Sequence, residues 1–154
     1  FRLSNVNARS IVNKSTDFEH ILIEQQPDVV VMTKTWLHPA ILDSDICPPG
    51  YNVIRNERST RGGGVAIFTD KRIKYSVLQS PPDIKTAWCK AYLGSQELNI
   101  GAVYRSPGVG VDAVNKLDDF LHHLRVQHKN VVIAEDFNIA GVMWDENVAW
   151  NTGT

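Results

Sequence analysis

The sequence predicts an α/β fold with a mixed β-sheet, and three observations carry that prediction. Two unbroken apolar runs, at residues 29–32 and 131–134, are typical of strands that are covered on both faces. Each run follows a segment in which apolar residues recur with helical spacing. Between these helix–strand units lies a series of short alternating segments, which predicts antiparallel strands.

Both predicted helices have a recognisable start. Thr16 and Glu19 have the spacing of a capping box, in which each side chain satisfies the other residue's free backbone amide, and Pro27 ends the helix. Asp112 is the expected cap of the second helix. The expected apolar faces are Phe18, Ile21 and Leu22 in the first helix, and Leu117, Phe120, Leu121 and Leu124 in the second.

Short strands account for most of the remaining chain. They are expected at residues 2–7, 51–55, 64–69, 72–77, 86–93 and 97–104. Alternation in residues 72–77 places Ile73, Tyr75 and Val77 on one face of their strand. Gly94 and Ser95 separate the last two strands of this series, a spacing that predicts a tight hairpin.

Length and composition exclude several classes of protein. With 154 residues, 43% of them hydrophobic and 21% charged, residues 1–154 are expected to form a single globular domain. No apolar run is long enough for a transmembrane helix, so a membrane partner is not expected. Because the net charge is −1, a nucleic-acid partner must be held by a local basic patch. Cys47 and Cys89 favour a reducing compartment and leave a single disulfide open.

Polar residues follow four of the predicted strands, where α/β sheets usually place their functional sites. These residues are Asn7, Lys34, Tyr104 with Arg105, and Asp136 with Asn138. Asp-x-Asn after a strand is, by itself, most often a turn in which both side chains bond their own backbone. The functional interpretation assigns Asp136 to a water molecule and Asn138 to a phosphoryl oxygen.

Five motifs occur in an order that resembles a known family. They are Asn7-Ala8-Arg9-Ser10, Thr33-Lys34-Thr35-Trp36-Leu37, Arg61-Gly62-Gly63-Gly64-Val65-Ala66, Gly101-Ala102-Val103-Tyr104-Arg105 and Asp136-Phe137-Asn138. The series resembles the endonuclease domain of non-LTR retrotransposons, in the exonuclease–endonuclease–phosphatase superfamily. The resemblance implies a four-layer α/β sandwich of two mixed sheets with helices outside. It also implies Mg²⁺-dependent nicking of DNA, and hence a nuclear protein.

The resemblance assigns a role to each matching residue. Asn7 would help to place the metal, Tyr104 would contact the scissile phosphate, and Asp136 would activate the attacking water, with Asn138 beside it. Arg105 follows the tyrosine in the family pattern as well, which suggests a phosphate contact. Arg9 and Arg61 are the other expected contacts to nucleic acid, although Arg61 and the glycines after it also fit a solvated turn.

Two residues depart from the family pattern inside these motifs. Lys34 stands where the family has the glutamate that is its principal metal ligand, and lysine offers Mg²⁺ no oxygen. Glu135 stands where the family has glycine, and we expect this anion to crowd the crevice and repel phosphate. Two explanations of Lys34 remain open. Either its ammonium takes the place of the cation and neutralises Asp136 or Glu135, or the substitution reflects mutational decay of a retrotransposon copy.

A third departure concerns length. The family domain continues through further strands to an aspartate–histidine pair, so this chain is expected to be an incomplete domain and a piece of a longer polypeptide. The histidines present are expected to be solvated helix or loop residues: His20, His38, His122, His123 and His128. Sheet edges left uncovered predict self-association.

Three functions remain open at this stage. The first is a fragment of a Mg²⁺-dependent DNA-nicking enzyme with weak or no activity. The second is a non-catalytic module that binds nucleic acid or protein. The third is a phosphodiesterase of the same superfamily that acts on a phosphoinositide or a sphingolipid, which the Arg61 and Tyr104 motifs favour less.

Overall fold

A computed structural model describes residues 1–57, 62–81, 83–106, 108–136, 142–144 and 149–151, with side chains described up to Glu135. The strands are β1 (Leu3–Asn7), β2 (Val29–Thr33), β3 (Tyr51–Asn56), β4 (Val65–Asp70), β5 (Lys74–Leu78), β6 (Lys85–Leu93), β7 (Gln96–Tyr104), β8 (Val131–Asp136), β9 (Val142–Trp144) and β10 (Ala149–Asn151). The helices are α1 (Ser15–Gln25), α2 (Asp43–Ile46) and α3 (Val111–Gln127).

Two four-stranded mixed sheets form the centre of the molecule. The first sheet has the order β1-β2-β4-β3, and only β1 and β2 are parallel. The second has the order β5-β6-β7-β8, and only β7 and β8 are parallel. β9 and β10 pair with each other as an antiparallel hairpin. The predicted mixed pairing, including the tight turn at Gly94 and Ser95, is therefore confirmed.

Three apolar cores arrange these elements in four layers. The largest core fills the space between the sheets and includes Val31, Ile67 and Ile100. The second lies between α1 and the outer face of the first sheet, where the Phe18 and Phe68 rings are 4.8 Å apart. The third lies between α3 and the outer face of the second sheet. The predicted helix–sheet–sheet–helix sandwich is thus the observed one.

A glycine makes room for the largest side chain of the third core. Trp88 on β6 is fully buried and lies opposite Gly101 on β7. A Cβ atom at Gly101 would come within 2.2 Å of the Trp88 ring. The ring also packs against Phe120 of α3, with 5.1 Å between centroids. Gly101, which belongs to one of the five motifs, therefore leaves the space that the Trp88 ring occupies.

Both predicted helix caps are wrong. Helix α1 begins at Ser15 with Lys14 at the cap position, because a turn closed by the Lys14 amide and the Ile11 carbonyl starts the helix early. Thr16 and Glu19 consequently lie inside the helix, and no side chain caps it. Helix α3 begins at Val111 after Gly110, so Asp112 lies in the first turn, where its charge suits the helix dipole.

Two predicted core positions are more exposed than the pattern suggested. Ile21 on α1 is 40% exposed, because Phe18 and Leu22 alone reach the core beneath the helix. Val77 on β5 lies opposite core residue Cys89 but is 62% exposed, since β5 is an edge strand. Cys89 is buried and Cys47 half-buried, and both thiols are free, so the disulfide left open by the sequence does not form. Among the described helices, none is long and apolar enough to cross a membrane.

Candidate functional site

The loop after β1 and the segment after β2 run side by side beyond the end of the first sheet. Asn7 and Thr33 are register partners, and the Ala8 amide donates to the Thr33 carbonyl at 3.0 Å. The pairing continues past the strands, because the Ser10 amide donates to the Lys34 carbonyl at 2.9 Å and the Ile11 amide to the Thr35 carbonyl at 3.0 Å. We call residues 7–11 and 33–36 the first-sheet corner.

Left-handed backbone is concentrated in this corner. Arg9, Ser10, Lys34 and Trp36 have φ values of 46°, 83°, 52° and 57°. Each such non-glycine residue costs about 1 kcal/mol, and strain of this kind persists only where the surroundings enforce it. The backbone hydrogen bonds of the corner provide that enforcement, so the position of Lys34 is set by its main chain.

Two glycines hold the corner from the other side. The Thr35 amide donates to the Gly64 carbonyl at 3.4 Å, and the Trp36 amide to the Gly63 carbonyl at 3.0 Å. Gly64 has a φ of 81°, and a Cβ atom there would come within 2.7 Å of the Thr35 hydroxyl oxygen. That hydroxyl is buried and has no hydrogen-bond partner among the described residues. The glycines of the Arg61 motif therefore act as a backbone clamp on the segment that carries Lys34.

A polar contact between the sheets brings the second sheet to the same end of the sandwich. In the first sheet, Asn7, Thr33, Val65 and Asn56 form one row across the strands. In the second, Lys85, Tyr104 and Asp136 form a corresponding row. The Asn56 side-chain amide donates to the Thr86 carbonyl at 2.9 Å, and the Lys85 ammonium donates to the Asn56 side-chain oxygen at 3.4 Å. β1 also packs against β8, so the two rows face each other.

The predicted site residues are placed in different surroundings. Asn7 and Arg9 are exposed, while Lys34 and Arg105 are half-buried. Tyr104 is only 7% exposed and belongs to the core between the sheets. The backbone of Asp136 lies opposite Tyr104 at the end of β8. Asn138 and Arg61 lie outside the described residues, as does the side chain of Asp136.

Glu135 lies on the opposite face of the second sheet from Tyr104. Its register partner is Val103, which belongs to the core beneath α3, whereas Tyr104 faces the first sheet. Both carboxylate oxygens of Glu135 are buried. The Glu135 side chain therefore does not face the Tyr104 side of the sheet. The expected repulsion between Glu135 and a phosphate there would act across the β-strand, without direct contact.

The described side chains of this end do not fit a Mg²⁺ ion. Magnesium is usually held by one or two carboxylates together with water and phosphate oxygens. Throughout the part of the chain that the structure describes, no three histidine, cysteine or acidic residues are grouped so as to hold a metal. Asn7 offers one amide oxygen, and the ammonium group of Lys34 would repel the cation.

Sequence reasoning missed Lys14 and Asn56 at this end of the molecule. The Lys14 ammonium donates to the Ala8 carbonyl at 2.9 Å and to the Arg9 carbonyl at 3.4 Å. Neither residue stands in a motif, and their contacts depend on how loops and sheets pack. The histidines, in contrast, lie on or beside helices or in an exposed loop, as expected.

Comparison with known proteins gives matches to solved structures. No protein-family model matches the chain, and no curated protein sequence matches it significantly. The endonuclease domain of TRAS1, a telomere-specific non-LTR retrotransposon, is 13% identical, with a TM-score of 0.67, over 96% of this chain and 65% of that one. The 3′-5′ exonuclease NExo from Neisseria meningitidis is 18% identical, with a TM-score of 0.71, over 92% of this chain and 59% of that one.

An AP endonuclease from Archaeoglobus fulgidus is similar to the same degree. It is 19% identical, with a TM-score of 0.65, over 92% of this chain and 58% of that one. The chain thus spans about three-fifths of the length of these nucleases. At such identities the likeness shows the fold alone, and that fold is the one the motifs predicted, the sandwich of the exonuclease–endonuclease–phosphatase nucleases.

Proposed function

We propose that this chain, which has the sandwich fold of the exonuclease–endonuclease–phosphatase nucleases, derives from a Mg²⁺-dependent DNA endonuclease of the retrotransposon type and has lost most or all of its nicking activity. One observation carries the proposal. Lys34 lies at the end of β2, in a corner whose backbone is fixed on both sides, at the position where the resemblance requires a metal-binding glutamate. On this proposal, the corner keeps the backbone of the ancestral site and has lost its metal ligand.

The proposed ancestral reaction assigns roles to the strand ends. Asp136 would orient the attacking water, and Asn138, Tyr104 and Arg105 would hold the phosphate. A divalent metal, when bound, supplies positive charge for the phosphorane-like transition state. Asn7 alone among the described residues would remain to hold it. We also propose, from the resemblance to retrotransposon endonucleases, that the protein works in the nucleus.

The second candidate is a DNA-binding module without catalysis. The exposed cation Arg9 and the half-buried Lys34 and Arg105 favour it, because contacts to backbone phosphates need positive charge but no metal. The two candidates share DNA as partner and differ in whether a phosphodiester bond is broken.

Nicking of a supercoiled plasmid, together with filter binding of a DNA duplex, tests both candidates. With Mg²⁺, the unmodified chain is expected to leave the plasmid supercoiled, and Lys34→Glu alone is not expected to restore nicking. Filter binding at two salt concentrations should show DNA retention that falls as salt rises. Rapid nicking by the unmodified chain would refute the loss of activity, and no retention at low salt would refute DNA as partner.

We also propose that the chain self-associates through β8. β8 is an edge strand, and Val132 and Ile133, on its two faces, are 36% and 37% exposed. Among the described strands, none pairs with the outer edge of β8, and an open edge with exposed β-branched residues is a template for pairing with a second copy. In sedimentation velocity, Val132→Lys is expected to shift the chain toward monomer. Val126→Lys, at a 73% exposed position on α3, serves as the matched control that leaves the distribution unchanged.

A further inference from the structure

We propose that two copies of the chain pair through β8 in antiparallel orientation, and that charged side chains of α3 in each copy bind those of the other. This pairing rests on the proposed self-association through β8. It adds to that proposal the relative direction of the two strands and the side chains that hold them. The contact involves a groove of about 790 Å³ between α3 and β8, which we call the α3–β8 groove.

The α3–β8 groove has an apolar floor beside an open strand edge. The floor is formed by Leu121 of α3 and by Val131 and Ile133, which lie on the same face of β8. Val131 packs against the core beneath α3, whereas Ile133 is exposed. Among the described strands, none pairs with the outer edge of β8. A strand that added to this edge would therefore bring its own molecule over the groove and cover Ile133.

The walls of the groove carry both signs of charge, at different ends. Asp118 and Asp119 lie near the middle of α3, whereas Arg125 lies in its last turn and Lys129 follows the helix. Because α3 connects the parallel strands β7 and β8, it runs antiparallel to both. The two cations therefore lie beside the beginning of β8, and the two acids beside its later residues. At a rise of 1.5 Å per residue, Asp118 and Arg125 are about 10 Å apart along the helix.

These charged groups are exposed and form no ion pair within the described part of the chain. The ion pairs found among the described residues involve neither Asp118 nor Arg125 nor Lys129. All three side chains belong to exposed residues. A second copy can therefore bind them without breaking an existing ion pair.

Antiparallel pairing is the arrangement in which the charges complement each other. A twofold axis perpendicular to the sheet makes the two β8 strands antiparallel and keeps both α3 helices on the same face. The beginning of β8 in one copy then lies beside the end of β8 in the other. Arg125 consequently approaches Asp118 of the second copy, and the symmetry repeats the contact. Parallel pairing would place the helices on opposite faces of the sheet and keep these charges apart.

The spacing of a β-sheet suits long side chains at this contact. In each copy α3 packs on the outer face of the second sheet, against Val103 of β7 and Val131 of β8. Neighbouring strands are about 4.8 Å apart, so two helices that lie above β7 and its symmetry mate are roughly 14 Å apart. Helices in direct contact are about 8–10 Å apart. The gap is therefore wide enough to require a long side chain such as Arg125 to reach an acid.

Charge exchange between two variants tests this pairing, by sedimentation velocity of the complete chain at pH 8, where histidine side chains are ordinarily neutral. Asp118→Arg alone and Arg125→Glu alone should each weaken self-association about tenfold, because each brings like charges together at both symmetric contacts. An equimolar mixture of the two variants should associate as well as the unmodified chain, since each contact of the mixed dimer joins opposite charges. Asp112→Arg is the matched control, because Asp112 lies in the first turn of α3, away from the groove.

The results separate this pairing from self-association itself. If Asp118→Arg and Arg125→Glu behave as Asp112→Arg does, or if their mixture stays as dissociated as either variant alone, the antiparallel pairing is wrong. A shift to monomer in Val132→Lys would then still keep β8 as the interface. If the unmodified chain is monomeric at every concentration, both proposals fall. Circular dichroism melting checks that each variant is folded, as expected for substitutions at exposed positions.

Discussion

The two sheets end differently at the same edge of the sandwich. The first-sheet corner carries cations on a backbone that is bonded from both sides, with left-handed residues at Arg9, Ser10 and Lys34. The second sheet ends in Tyr104 and Asp136, which are opposite each other in a regular parallel ladder. The comparison teaches that a segment can keep its main-chain geometry while the chemistry of its side chains changes. Lys34 stands where the resemblance implies a metal-binding glutamate, and its charge is the opposite one.

The second sheet is expected to be the more sensitive of the two to a small change. Gly101→Ala would drive a Cβ atom into the buried Trp88 ring, which has no space to retreat. We expect a loss of about 3 kcal/mol in the free energy of unfolding, or failure to fold. Gly110→Ala is the control, since nothing lies within 4 Å of that position and its φ is ordinary. Urea denaturation of both variants gives the comparison, and equal losses would contradict the role of Gly101.

The first-sheet corner is expected to respond to Gly64→Ala with a loss of about 2 kcal/mol. The new Cβ would meet the Thr35 hydroxyl at 2.7 Å, at a φ of 81°. Gly108→Ala isolates the backbone strain, because Gly108 has a φ of 80° and nothing within 4 Å. The difference between the two variants in chemical denaturation measures the clamp on Thr35. No difference would show that Gly64 serves only its own backbone conformation.

The core between the sheets should make stability fall at alkaline pH. Burial raises the pKa of Cys89 to about 12, from an ordinary value of 9.0 that applies to the unfolded chain. The unfolded thiol therefore ionises first, so the contribution of Cys89 is complete below pH 9 and is lost as pH rises from 9 to 12. The expected slope is about 1.4 kcal/mol per pH unit within that window.

Denaturation of the unmodified chain and of Cys89→Ala at several pH values checks this slope. The difference in unfolding free energy between them should shrink above pH 9. Cys47→Ala is the control, because Cys47 is only half-buried and burial, followed by the Asp43 charge, raises its pKa less. Parallel curves for Cys89→Ala and the unmodified chain would contradict the burial of this thiol.

The smallest stability effect is expected at Lys34 itself. Lys34→Gln should change the free energy of unfolding by less than about 1 kcal/mol, because main-chain bonds hold the position. Lys34→Val should cost about 1 to 2 kcal/mol more, since a β-branched residue tolerates a φ of 52° poorly. Thermal denaturation compares the two variants. If both were equally destabilising, the side chain and not the backbone would fix the corner.

The parts of the molecule set by local pattern were predictable from the sequence. The apolar runs around Val30 and Val132 gave two parallel strands, and Gly94 gave the hairpin. The helix starts were not predictable, because the turn that ends at Lys14 and the glycine before Val111 decide them. A capping pattern shows only which side chains could bond the first free amides of a helix, and it does not fix the residue at which the helix begins.

The candidate site divides in the same way. The order of the motifs predicted that Asn7, Lys34 and Tyr104 lie at one end of the sandwich, because the ends of the strands converge in such folds. The contacts of Lys14 with the Ala8 carbonyl depend on how the loop before α1 closes, and no spacing rule contains that information. The burial of Tyr104 likewise follows from sheet-on-sheet packing, which only the assembled fold shows.

Titration of the unmodified chain with Mn²⁺, followed by the loss of the free-ion electron paramagnetic resonance signal, tests the central claim most directly. With Lys34 in place, we expect no site of submillimolar affinity, and Lys34→Glu should bind Mn²⁺ measurably more tightly than Lys34→Gln. A stoichiometric, submillimolar Mn²⁺ site in the unmodified chain that Asn7→Ala removes would contradict the account, because the chain would then bind the metal in spite of Lys34.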